Sequence, residues 1–127
     1  MQYKVLIVDD SKLARMVMAS AFRRIRPDWT LVETANAGEA LAAISGGAID
    51  IALIDFNMPG IDGLELVASI RRTHPAMPAA VVSANVQDEI ISRARELNAG
   101  FIPKPLTDEA LAAFLSGATL RLKKLTP

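Results

Sequence analysis

Asp9, Asp10, Asp55, Ser83 and Lys104 are the residues of this 127-residue chain whose types and placement could do chemistry together. Each stands at the end of an apolar run: "KVLIV" leads to Asp9 and Asp10, "IALI" to Asp55, "AAVV" to Ser83 and "GFIP" to Lys104. Taken singly, each has an ordinary explanation. Asp10 before Ser11 reads as a helix cap, Asp55 before "NMPG" as a turn former, Ser83 as a hydroxyl approaching a helix, and Lys104 as a solvated surface lysine. Taken together, three carboxylates, a hydroxyl and an ammonium fall at four separate run ends. Two carboxylates about 4 Å apart repel by roughly 4 kcal/mol at an effective dielectric near 20, so such a rim calls for a cation. Oxygen ligands without His or Cys favour a hard ion. A few carboxylates completed by water and a phosphate oxygen suit Mg²⁺, and the spaced acids of a dedicated calcium loop are missing. With Mg²⁺ on one side and Lys104 on the other, the rim becomes a pocket for a dianionic phosphoryl group, with one Asp as its acceptor.

The surrounding pattern says what must position these groups. "YKVLIV" (Tyr3–Val8) is a nearly continuous β-branched run, as in a strand buried on both faces. Ala14, Val17, Met18, Ala21, Phe22 and Ile25 then recur at helical spacing behind a Ser11 cap. The alternation continues: "TLVETA" with "GEALAAIS", "IDIALIDF" with "GLELVASIRR", "AAVVSA" with "QDEIISRARELN", and "GFIPK" with a last helix opening at Thr107. That last helix is expected to bury Leu111, Phe114, Leu115, Ala118, Leu122 and Leu125. Five strand and helix pairs with short connections predict a doubly wound α/β fold, a parallel sheet with helices on both faces. In such sheets ligands bind outside the carboxyl ends of the strands, where the five residues lie.

Composition narrows the classes. The 14 basic and 14 acidic residues cancel, so no overall field draws the chain to nucleic acid or to an anionic membrane. The absence of cysteine excludes thiol catalysis and cysteine-bound metal, and fits a reducing, cytoplasmic setting. The N-terminal apolar run is too short for a signal peptide or a membrane span. One domain over residues 1–127 is the expectation for this length. His74, in "RTHPAMP", is expected in a loop at the opposite end of the strands, away from the acidic rim.

"DDS" (Asp9–Ser11), "LIDFNMPGIDGLEL" (Leu53–Leu66), "VVSAN" (Val81–Asn85) and "FIPKP" (Phe101–Pro105) follow one another in an order that resembles the receiver domains of bacterial two-component response regulators, the CheY-like domains. The resemblance implies a flavodoxin-like sheet of strand order 2-1-3-4-5 flanked by five helices. It implies Asp55 as phosphoacceptor from a sensor histidine kinase or a histidine phosphotransfer protein. Asp10, Asp55 and the backbone carbonyl of Asn57 would bind Mg²⁺ directly, and Asp9 through water. Ser83 and Lys104 would hold the phosphoryl oxygens, and the Lys104–Pro105 bond would be cis. Phe101 takes the family's aromatic switch position, where tyrosine is frequent; a buried core ring is the other reading of it. The face of helix four, strand five and helix five would bind an unnamed output protein or a second copy of the chain. Two rival functions stand beside this one. A Mg²⁺-dependent aspartyl phosphatase would place a second Asp two residues beyond the nucleophile, where this chain has Asn57. A phosphorylation-independent binding module of the same fold would have no use for the acceptor set.

Overall fold

A computed structural model describes residues 2–125, with the side chain of Leu125 outside the described set. Strand β1 (Lys4–Val8) leads to helix α1 (Lys12–Ile25), and the alternation repeats through β2 (Thr30–Thr34), α2 (Ala37–Ser45), β3 (Ile51–Asp55), α3 (Gly63–Thr73), β4 (Ala79–Ser83), α4 (Asp88–Glu96), β5 (Gly100–Pro103) and α5 (Asp108–Leu125). The strands form one parallel sheet in the order β2-β1-β3-β4-β5.

Alternation along each strand divides the core in two. Leu6, Val8, Ala52, Ile54, Ala79 and Val81 face α2, α3 and α4, while Val5, Ile7, Ile51, Leu53, Ala80 and Val82 face α1 and α5. β1, β3 and β4 are buried on both faces, and this is why they read as unbroken apolar runs instead of alternating ones. The register brings the carboxyl ends level, pairing Val8 with Thr34 and Ile54, Asp55 with Val82, and Ser83 with Pro103. That levelling gathers the polar strand ends onto one rim.

The helix expectations hold with two corrections. Ser11 caps α1, its hydroxyl accepting from Ala14 N–H, and Thr107 caps α5 through Ala110 N–H. Val17, expected inside, is 52% exposed, whereas Ala19, outside the expected stripe, is buried. Met18, Ala19, Ala21 and Phe22 define the buried line of α1, and at 3.6 residues per turn Val17 points about 120° away from its centre. On α5, Leu111, Leu115 and Ala118 are buried while Phe114 and Leu122 only pack against the core edge. Phe101 is half-buried, packed against the α2, α3 and α4 side.

Two helices begin in contrasting ways. Asp62 and Glu65 form a reciprocal capping box at α3, with Glu65 N–H on Asp62 Oδ1 at 2.8 Å and Asp62 N–H on Glu65 Oε1 at 3.0 Å. Gln87 opens α4 with no side-chain cap, and that helix buries only Ile90 and Ala94. Among the described residues no helix is long and apolar enough to cross a membrane.

Candidate functional site

Asp55 is the last residue of β3, its backbone held in the sheet and the residue as a whole 5% exposed. The chain turns away from it through Phe56 and returns at Gly63, whose N–H donates to the Phe56 carbonyl at 2.9 Å. A Cβ at position 63 would lie 2.6 Å from the Asp55 carbonyl oxygen, so only glycine allows α3 to start this close to the strand end. Asp9 follows β1 and is 1% exposed, its N–H donating to the Thr34 carbonyl at 3.1 Å. Asp10, next in the chain, is exposed.

One carboxylate oxygen from each of Asp9, Asp10 and Asp55 lies within 4.8 Å of the others. Lys104, just past β5, sends its ammonium to 2.9 Å from Asp55 Oδ1 and 3.9 Å from Asp9 Oδ2. The second distance is too long for a hydrogen bond. Asp9 Oδ1 accepts from Ser11 N–H at 2.9 Å, but Asp9 Oδ2 is buried with no hydrogen-bond partner among the described residues. Burial first, then the charges of Asp55 and Asp10, push the Asp9 pKa above its ordinary value; the Ser11 N–H and Lys104 oppose this without cancelling it. A buried anionic oxygen with no donor is what a directly or water-bridged cation would satisfy, and an all-oxygen donor set matches a hard divalent ion.

Ser83 ends β4 almost fully buried, its hydroxyl oxygen accepting from Asn85 N–H at 2.9 Å; a hydroxyl that accepts still has a proton to donate. Asn57 lies exposed in the loop two residues after Asp55. The Lys104–Pro105 peptide is cis. A cleft of about 320 Å³ opens beside Asp9 and Lys104, walled by Leu13, Val17 and Leu106. A larger hollow of about 470 Å³ lies elsewhere, against Tyr3, Arg26 and Trp29, and among the described residues no carboxylate lines it. Of the sequence candidates, Asp9, Asp10, Asp55 and Lys104 are brought together, and Ser83 ends the neighbouring strand. His74 caps the end of α3, its N–H donating to the Ile70 carbonyl, and takes no part in the cluster.

Two arginines escaped the sequence reading. Arg15 donates through Nη1 to the Asp9 carbonyl at 2.6 Å. Arg71 donates to four carbonyl oxygens, those of Leu97, His74, Met77 and Asn98, binding the end of α3 to the loop between α4 and β5. Burial, then the charge of Arg121, lowers the Arg71 pKa. Neither carries a local signal, because the acceptors are backbone atoms.

The comparisons agree with this geometry. Residues 5–116 match the profile of the response regulator receiver domain. The chain is 38% identical over 117 residues to the positive alginate biosynthesis regulatory protein of Pseudomonas aeruginosa, covering 91% of this chain and 46% of that one. It is 34% identical over 110 residues to the DNA-binding transcriptional regulator NtrC of Salmonella typhimurium, covering 85% of this chain and 23% of that one. The chain thus spans between about a quarter and a half of these relatives. Among solved structures, the Vibrio cholerae chemotaxis protein CheY4 superposes with a TM-score of 0.83 at 26% identity, over 93% of this chain and 99% of that one. A CheY-like receiver domain protein from Methanospirillum hungatei gives 0.87 at 23% identity, over 98% and 99%, a likeness of fold. With the acidic rim in place, five parallel strands in the order 2-1-3-4-5 and a profile match across most of its length, the chain belongs to the response regulator receiver domain family.

Proposed function

We propose that this chain is a single phosphoacceptor receiver unit in which Asp55 takes a phosphoryl group from a phosphohistidine on a sensor kinase or phosphotransfer protein. An Asp55 carboxylate oxygen attacks phosphorus. The P–N bond breaks, the imidazole leaves with its electron pair, and an acyl phosphate forms. The observation that carries this reading is the buried Asp55 carboxylate with Lys104 at 2.9 Å and two further carboxylates within 4.8 Å.

Asp10, Asp55 and the Asn57 carbonyl would hold Mg²⁺ directly and Asp9 through water. When bound, the ion neutralises charge on the phosphoryl oxygens and on the carboxylates around them. Lys104 exchanges its contact with Asp55 for one with a phosphoryl oxygen, and the Ser83 hydroxyl donates to another. Positioned charge of this kind supplies most of what phosphoryl transfer needs. The chain serves as an acceptor and does not turn over small phosphate esters.

The acyl phosphate carries about one and a half to two negative charges where the carboxylate carried one, and it brings three strong acceptor oxygens. Drawing Ser83 inward pulls on the loop before α4, and Phe101, half-buried beside Ile91 and Arg95, senses the change on the face of α4, β5 and α5. Moving a population from about 1:99 to 99:1 takes roughly 5.5 kcal/mol, within reach of several charge-assisted bonds. That face would bind an output protein or a second copy. In this reading the chain works in the cytoplasm and touches neither nucleic acid nor membrane directly.

Acetyl phosphate or beryllofluoride with Mg²⁺ should modify the wild-type chain and spare Asp55→Asn, as read by intact-mass and peptide mass spectrometry. A phosphate equivalent found on another residue of the wild-type chain would overturn the assignment.

A further inference from the structure

Arg15 lies near the start of α1 with its side chain 17% exposed. One end of its guanidinium donates to the Asp9 carbonyl at 2.6 Å, and Nε stands 3.5 Å from Glu33 Oε1 on β2. Asp9 is thereby held at every other polar atom: its N–H on the Thr34 carbonyl, its carbonyl under Arg15, and Oδ1 on Ser11 N–H. Only Oδ2 is left over, and it lies 3.9 Å from the Lys104 ammonium that binds Asp55.

We infer that Arg15 is a positioning residue for the divalent-ion site, fixing the Asp9–Asp10 peptide against β2 so that both carboxylates meet Asp55. This rests on the Mg²⁺-dependent reading above and adds to it a residue outside the ligand set. The sign of the effect distinguishes it from simple electrostatics. An arginine close to a cation site repels the ion, so deleting it should tighten binding if charge were its whole role. Glu33 faces Arg15 and offsets that charge, leaving the directional hydrogen bond to the Asp9 carbonyl as the larger contribution. Partners of this outer kind are worth roughly 10–100-fold in metal affinity.

The test is Mg²⁺ binding by the full chain without phosphodonor, followed by calorimetry and by amide NMR shifts of Asp10 and Phe56. Arg15→Ala should weaken Mg²⁺ about 10-fold, and Arg15→Met, which keeps the aliphatic stem and serves if the alanine variant fails to fold, should do the same. Arg15→Lys, able to reach the Asp9 carbonyl but not Glu33 at once, should recover part of the loss. In acetyl phosphate labelling, the half-saturating Mg²⁺ concentration should rise by the same factor while the rate at saturating Mg²⁺ stays within about 2-fold of wild type. A merely structural arginine would lower the melting temperature and leave Mg²⁺ affinity alone. Equal or tighter Mg²⁺ binding in the folded Arg15 variants would overturn the inference. A wild-type chain that neither binds Mg²⁺ nor is labelled at Asp55 would instead overturn the reading beneath it.

Discussion

Lys104 reaches across from the end of β5 to place its ammonium 2.9 Å from Oδ1 of Asp55, at the end of β3 two strands away. Asp55 is 6% exposed at its side chain and Lys104 35%, so the pair is buried on the acid side and partly screened on the amine side. In the metal-free chain this lysine is the cation that makes a buried acidic cluster tolerable.

Lys104→Met should therefore destabilise the metal-free chain. Removing one partner of a fully buried pair costs 3–5 kcal/mol; discounted for the exposure of the ammonium, about 1–2 kcal/mol is expected. Mg²⁺ should bind this variant more tightly than wild type, because a competing positive charge has gone. Urea unfolding in EDTA and in Mg²⁺ checks both parts, and unchanged stability in EDTA would show that the contact contributes nothing.

Asp9 offers a pH dependence whose sign is fixed. Burial and its acidic neighbours raise its pKa in the folded chain above the ordinary 3.8. The stability this group contributes is therefore complete below the unfolded value and is lost as pH rises through the folded one. At neutral pH the metal-free protein carries the full cost of a charged Asp9. Asp9→Asn should accordingly raise the melting temperature in EDTA at pH 7, by about 4 °C if the relief is about 1 kcal/mol. The gain should shrink as the pH is lowered and wild-type Asp9 takes up its proton. Added Mg²⁺ should stabilise wild type more than the variant, since ligand binding to the native state sets that shift. A variant melting below wild type at neutral pH would contradict the account.

Gly63→Ala should be among the most damaging single-methyl additions in the chain. Its Cβ would meet backbone, the Asp55 carbonyl oxygen at 2.6 Å and Phe56 Cα at 2.9 Å, and neither can rotate away. Overpacking against backbone costs about 1–3 kcal/mol or more. Because the displaced atoms belong to the acceptor strand end, labelling of Asp55 should slow even where the variant folds. Chemical denaturation and acetyl phosphate labelling read the two effects separately.

Arg71→Lys is expected to behave nearly as badly as Arg71→Met. Four carbonyl oxygens on two loops are reached by one planar, five-donor group, and an ammonium cannot span them. The loss should be about 2–4 kcal/mol, with hydrogen exchange rising first at Asn98–Gly100. A lysine variant as stable as wild type would show that charge and not geometry matters there.

Much of the architecture was legible because burial on both faces writes itself into sequence as unbroken apolar strands, and β1, β3 and β4 are of that kind. The candidate site was legible for a related reason: polar residues that end such strands are conspicuous, and a level register gathers them. Val17 was misplaced because a helical stripe is broad, and only the packing of α5 on Met18 and Phe22 decides which edge is covered. Arg15 and Arg71 were invisible because their acceptors are carbonyl groups, which every residue has; the Leu97 acceptor lies 26 positions beyond Arg71. The α3 capping box, by contrast, was there to be read as Asp-x-x-Glu before an apolar run.

Helix α4 is secured unevenly. Its first turn, nearest Ser83, has no side-chain cap, whereas the segment just beyond its last turn is clasped by Arg71 through the carbonyls of Leu97 and Asn98. With Ile90 and Ala94 seated in the core, the uncapped end is the one whose backbone can shift at least cost, while the clasped end hangs on a guanidinium of α3 that lies outside the charged rim altogether.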